Sequence, residues 1–227
     1  MSLLQRMRLA RARRACKLPL QQRLLEQSLP SRGTLVANLE MIALDFETTG
    51  LDAERDHIIA AGWVLIRGDR IVLASAREVR VRNGSAGGVG QSAVIHGILD
   101  SDLDDAGSTE ALIEDLLPEL AGRAIVAHAA AIERNFLAAL LRRLGGVPLP
   151  NPFVDTMALE RHLVEGGGGK VRELHGDLTL DACRERRGLP DHQRHSAGAD
   201  AVAAAELLLA QVAALGGAAE VKLRELL

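Results

Sequence analysis

The stretch "MIALDFETTG" occupies residues 41–50. Four apolar residues, Met41, Ile42, Ala43 and Leu44, run together without polar alternation, the pattern of a central strand covered on both faces. The run ends in Asp45 and Glu47. Being two apart on a strand, they send both carboxylates out of the same face. Paired anions at a buried strand end repel each other and resist desolvation. A divalent cation relieves both penalties, and hard oxygen ligands suit Mg²⁺ or Mn²⁺. An isolated D-x-E is as readily a solvated strand end, so the pair needs company before it means a metal site. The small residues and glycine of "TTGLD", directly after it, let a backbone approach a ligand such as a phosphate or terminal nucleotide.

Outward from this strand, residues 57–66 and 71–81 read as two more strands joined by the short turn Arg67-Gly68-Asp69-Arg70, a hairpin. Residues 83–90, "NGSAGGVG", read as a loop. The period then changes. Residues 108–122 hold a capped amphipathic helix, with Ser108 or Thr109 as cap. A short strand at 124–128 leads to a helix ending at Gly145-Gly146. A brief strand at 152–155 precedes a helix that Asp155 can cap. A helix stopped by Gly188 and Pro190 follows, and a last Ala/Leu-rich helix begins near His195. The expected fold is α/β: a mixed five-stranded sheet, three antiparallel strands then two parallel, with helices on both faces.

The 227 residues are 48% hydrophobic but only 2% aromatic, enough for one core built from Leu, Ala, Val and Ile. Residues 1–40 carry eight basic and two acidic residues, +6 within an overall charge of −3. A basic arm on an acidic body points to a polyanion or a protein partner, or simply to a solvated helix face. Residues 1–38 read as a basic helical extension broken at Pro19, 39–215 as the main domain and 216–227 as a tail. Cys16 and Cys183 form no metal-spacing or disulfide pattern. No apolar stretch approaches the roughly 20 residues of a membrane span, and the start lacks the apolar run of a secretory signal. A cytoplasmic location and no membrane partner are expected.

Three decoys are set aside. "GGGGK" at 166–170 lacks the P-loop spacing and its Ser/Thr. "GSAGGVG" does not match a dinucleotide fingerprint. His192 and His195, three apart, are joined by no Cys or third His and make a poor soft-metal pair.

Further along, "HAAAIERNFL" places Glu133 in the first turn of a helix, where the dipole alone would favour it. "HSAGAD" places His195 and Asp200 at the start of the last helix, as candidate general base and third oxygen ligand. In order, strand D-x-E-T-T-G, then H-x4-E-x-x-F-L, then H-x4-D resembles the DEDDh 3′–5′ exonucleases, the DnaQ-like family related to polymerase proofreading subunits. The resemblance spans about residues 40–212 and includes "SAVIHGI" (92–98) and "VDT" (154–156). Two positions depart from the pattern: Ala129 where the family usually has Asn, and Glu133 where Asp is usual.

The resemblance implies a ribonuclease-H-like sheet and hydrolysis with two divalent cations, Mg²⁺ or Mn²⁺. It implies Asp45, Glu47 and Asp200 at one ion with Asp45 shared, Glu133 at the second, and His195 taking the proton from the attacking water. Phe46, Thr48, Thr49, Gly50, Leu51, His96 and His128 would contact substrate. The substrate would be a single-stranded DNA or RNA 3′ end and the product a nucleoside 5′-monophosphate, with a polymerase or other protein as possible partner of the basic arm. RNA or oligoribonucleotide trimming is the alternative within enzymes. A non-catalytic nucleic-acid-binding or scaffold module is the alternative outside them; five competent polar positions argue against it.

Overall fold

The structure is a computed structural model that describes residues 3–82, 106–166, 178–192 and 196–227. Five strands form one sheet in the order β3-β2-β1-β4-β5. They are β1 (Glu40–Thr48), β2 (Ile58–Arg67), β3 (Arg70–Arg80), β4 (Ala124–Ala127) and β5 (Phe153–Asp155). β1, β2 and β3 pair antiparallel, while β4 and β5 add parallel to β1, the arrangement expected from the change of period. Among the described residues seven α-helices accompany them: α1 (Leu3–Ala15), α2 (Pro19–Glu26), α3 (Thr109–Leu120), α4 (Ala131–Arg143), α5 (Thr156–Gly166), α6 (Leu180–Arg186) and α7 (Ala197–Ala214).

β1 is central and its apolar residues are buried, alternating between two cores. Ile42, Leu44 and Phe46 face a layer built by Leu116 and Leu117 of α3, Phe136 and Leu140 of α4, and Leu24 and Leu25 of α2. Met41 and Ala43 face the opposite layer, with Leu159 of α5, Leu208 and Val212 of α7, and Leu223 and Leu226 near the C-terminus. Each of the larger of these buried side chains contributes roughly 1.5–3 kcal/mol. Asp45 and Glu47 continue the Met41–Ala43 row, so the acids emerge on the side where α7 crosses the sheet.

Pro19 opens α2 at its first turn, where a missing N–H costs nothing. α1 and α2 are docked rather than extended. Gln21 is buried: its Oε1 accepts from the Val147 N–H (2.8 Å) and the Cys16 thiol (3.1 Å). The Arg13 guanidinium donates twice to the Leu25 carbonyl (2.8 and 2.6 Å). The C-terminus closes on the segment before β1, where the Val36 N–H donates to Val221 O and the Leu223 N–H to Thr34 O, both at 2.9 Å. α7, with 18 residues, is apolar and long enough by composition to cross a membrane, contrary to the expectation that no stretch approaches that length. Half of its residues are buried in this fold, which explains the composition: it is the helix that covers the sheet. The expected loop at 83–90 and the glycine run at 167–170 lie outside the described residues.

Candidate active site and metal centre

Three segments converge where β1 ends. Asp45 and Glu47 come from β1. Asp200 comes from the first turn of α7, where its N–H donates to Ser196 O (2.8 Å). One carboxylate oxygen from each of the three lies within 4.8 Å of the others. Glu133 joins from the first turn of α4 and is buried.

Two glycine-scale details bring α7 this close. Gly62 on β2 sits opposite Asp45 in register. A Cβ at Gly62 would lie 2.0 Å from the Ala197 carbonyl carbon and 2.2 Å from the Gly198 nitrogen. Glu78 on β3 then fixes the helix start. Its Oε2 accepts from the Ser196 hydroxyl (2.5 Å) and the Gly198 N–H (2.9 Å), while the Ser196 side chain caps Ala199 N (3.4 Å). Neither Gly62 nor Glu78 stood out in the sequence. An isolated glycine inside an otherwise strong strand is the signal that marks a close backbone approach; an acid on an edge strand carries no such signal.

The electrostatics are those of acids held close together in a partly buried site. Two unit charges about 5 Å apart repel by roughly 3 kcal/mol at an effective dielectric of about 20. Burial, then the charges of Glu133, Asp200, Glu47 and Glu78, hold the Asp45 carboxyl well above the usual carboxylate range. Burial, with Asp200 and Glu78, raises Glu47 to about 7. Burial raises Glu133 to about 8, with Asp155 adding to the shift, although backbone N–H groups of Glu133 itself and of Phe46 oppose it. Glu133 Oε2 is buried without a hydrogen-bond partner among the described residues, a state that costs about 1–3 kcal/mol or more if nothing else is bound. Oxygen-only ligands, clustered anions and an orphaned carboxylate oxygen together fit hard divalent cations.

A family model described as an exonuclease, RNase_T, matches residues 42–208, a span that contains all four acids. The chain belongs to this exonuclease family. It is 31% identical over 171 residues to the DNA polymerase III epsilon subunit of Treponema pallidum, covering 75% of each chain. It is 32% identical over 178 residues to the PolC-type DNA polymerase III of Thermotoga petrophila, covering 76% of this chain and 12% of that polymerase. The chain thus spans about an eighth of the PolC-type relatives' length. Among solved structures, exonuclease X in complex with 5′-overhanging duplex DNA aligns with a TM-score of 0.59 at 24% identity, covering 82% of this chain and 98% of that one. The zinc-bound complex of E. coli exonuclease I with single-stranded DNA aligns with a TM-score of 0.67 at 13% identity, over 78% and 41%. These two likenesses establish the fold, and the expected ribonuclease-H-like sheet is the one observed.

Within this exonuclease domain the remaining sequence-predicted residues divide. Thr49 and Gly50 bend the chain directly after Thr48, the last residue of β1. The Thr48 hydroxyl donates to Gly50 O (2.7 Å), the Thr49 hydroxyl to Asp56 Oδ1 (3.3 Å), and the His57 N–H to Thr49 Oγ1 (3.0 Å). Leu51 follows and is 82% exposed. The Phe46 side chain, expected at the substrate, is in the core on the opposite face of β1. Strand alternation puts it there, so only its backbone faces Glu133. His128 is held away by two bonds, Nδ1 to Thr156 Oγ1 (2.9 Å) and Nε2 to Leu178 O (2.8 Å). Burial lowers its pKa below the ordinary 6.5, against the opposing effects of the Leu178 carbonyl and the charges of Asp155, Glu160 and Asp181. It links β4 to α5 and to the start of α6. Asp155 caps α5, its Oδ1 accepting from Ala129, Met157 and Ala158 N–H groups (3.1, 3.0 and 3.3 Å). His195 and His96 lie outside the described residues.

Proposed function

We propose that this domain is a metal-dependent 3′–5′ exonuclease that releases nucleoside 5′-monophosphates from single-stranded DNA. The observation that carries it is the convergence of Asp45, Glu47 and Asp200 within 4.8 Å, with the charge of Glu133 acting on Asp45. DNA is the favoured polymer because the curated relatives are DNA polymerase III proteins and two of the similar solved structures, of exonuclease I and exonuclease X, are DNA complexes.

Asp45, Glu47 and Asp200 would hold one divalent cation, with Asp45 shared, and Glu133 would serve a second. Such ions supply charge stabilisation at the scissile phosphate and at the leaving oxygen. Glu133 reaches one methylene further than the Asp usual at its position while keeping the charge. His195, five residues before Asp200, is the proposed acceptor of the proton from the attacking water, since imidazole titrates near neutral pH. The Thr48–Thr49–Gly50 segment would receive the terminal nucleotide's sugar and phosphate through its backbone, and exposed Leu51 would offer apolar surface to the terminal base. His96 is a further proposed contact.

We assign the chemistry to residues 39–215. The docked extension, residues 1–38, presents exposed Arg11, Arg13, Arg14 and Lys17, and we assign these to a phosphate backbone or a polymerase partner. Phosphate contacts give binding a steep salt dependence.

The direction and polymer are tested with Mg²⁺ or Mn²⁺ on single strands of DNA and RNA labelled at either end. Early release of label as a mononucleotide from 3′-labelled DNA supports the reading. Early release from the 5′ end contradicts the polarity, and faster cleavage of RNA redirects the substrate.

A further inference from the structure

His192 lies just before the segment that leads into α7. It was set aside above as half of a poor soft-metal pair, yet its ring is nearly buried, with 11% of the side chain exposed. Its Nε2 is 2.7 Å from Asp200 Oδ1. The pairing that satisfies both groups has Nε2–H donating and the carboxylate oxygen accepting. Asp181 Oδ1, in the first turn of α6, faces the other ring nitrogen at 3.5 Å. The ring therefore sits between two carboxylates, one of them in the acidic cluster.

The backbone around His192 is anchored. Arg184 is buried, and its guanidinium donates to Pro190 O (2.9 Å) and to Ala203 O of α7 (2.8 Å). The same group pairs with Glu206 of α7 at 2.8 Å. The Leu189 N–H closes onto Arg184 O (3.0 Å). One arginine thus locks the chain two residues before His192 onto the helix that carries Asp200. A donor placed this rigidly fixes the orientation of the carboxylate it touches.

We propose that His192 is a positioning residue for Asp200, holding one carboxylate oxygen so that the group presents to the cation site in a single orientation. The inference rests on the metal-site reading above. Nε2 is spent on Asp200, so His192 acts through that carboxylate and not as a ligand itself. Outer partners of metal ligands typically change metal affinity by about 10–100-fold.

The test uses the full chain and three variants. His192→Ala removes the donor. His192→Gln carries an amide N–H at about the reach of Nε2, and His192→Asn carries one too short to reach Asp200. Mn²⁺ affinity is measured by calorimetry without nucleic acid, alongside the Mg²⁺ concentration needed for half-maximal hydrolysis and the KM for a single-stranded oligonucleotide at saturating Mg²⁺. The expected result is Mn²⁺ binding about 10–100-fold weaker in His192→Ala and His192→Asn. The Mg²⁺ requirement rises in parallel, KM is unchanged and His192→Gln recovers most of the affinity. Wild-type Mn²⁺ affinity in His192→Asn overturns the proposal, as does His192→Gln binding as weakly as His192→Asn. Failure of the wild-type protein to bind Mn²⁺ at all overturns the metal-site reading as well, which separates the two failures.

Discussion

Gly62 of β2 and Ala197 of α7 touch backbone to backbone: a Cβ on Gly62 would lie 2.0 Å from the Ala197 carbonyl carbon. Gly62 also pairs with Asp45 across the two strands. The spacing between the β1 acids and Asp200 therefore depends on one missing methyl group. Gly62→Ala must push α7 off the sheet. Overpacking of this kind costs about 1–3 kcal/mol, and a shift near 1 Å at a reacting centre costs about 10²-fold in rate. The expected outcome is a folded protein with a lowered urea midpoint and a disproportionate loss of hydrolysis. Wild-type activity in this variant would show that the contact does not set the site.

The acids give the metal-free protein an unusual pH dependence. Glu47 and Glu133 have folded pKa values of about 7 and about 8, and Asp45 is also raised. A carboxyl raised on folding binds more protons in the native state than in the unfolded one. Its stabilisation is present at low pH and is lost as pH rises from the unfolded value through the folded one. His128, lowered on folding, works in the opposite sense, but only below about its unfolded value near 6.5. From about pH 7 to 8.5 the acids dominate. In EDTA the unfolding midpoint should fall across that range, and Mn²⁺ should remove the slope by favouring the ionised acids. Glu133→Gln should flatten the EDTA profile. A midpoint that rises with pH in EDTA would contradict the electrostatics described.

Ala129 has φ 61°, the only positive value among the described non-glycine residues. It sits between His128 and the start of α4, its N–H held by Asp155. A left-handed conformation costs an L-residue with a Cβ roughly 1–2 kcal/mol, less for Asn or Gly. Ala129→Asn should therefore raise stability by up to about 1 kcal/mol, and Ala129→Gly should be neutral or mildly stabilising despite glycine's entropic cost. Chemical denaturation measures both. Loss of about 1 kcal/mol in both variants would mean that the backbone there carries no strain.

The parts of this molecule written in local pattern were readable. The apolar run ending in Asp45 and Glu47 gave the central strand and the acid pair. The change of period gave the division into three antiparallel strands and two parallel ones, and Ser108 and Asp155 gave helix starts. What stayed hidden depends on contacts between distant segments. Gly62 matters only because α7 lands on it, Glu78 because Ser196 and Gly198 reach it, and His192 because Arg184 locks its segment to α7. The basic residues of 1–38 suggested an arm for a polyanion or a partner, and Gln21, Leu24 and Leu25 pack that extension against the domain. Phe46 was assigned to the substrate from its place in the motif, although the same alternation that pairs Asp45 with Glu47 sends it into the core.

The Asp45 cluster is the proposed holder of the ions for exonucleolytic cleavage. The most direct measurement compares the wild-type protein with Asp45→Ala in Mg²⁺ on 3′-labelled single-stranded DNA, identifying the product and confirming equal folding by circular dichroism. The expected result is Mg²⁺-dependent release of labelled nucleoside 5′-monophosphate by the wild type, abolished by EDTA and absent from the variant. Undiminished mononucleotide release by a folded Asp45→Ala protein, or by the wild type in EDTA, would contradict it.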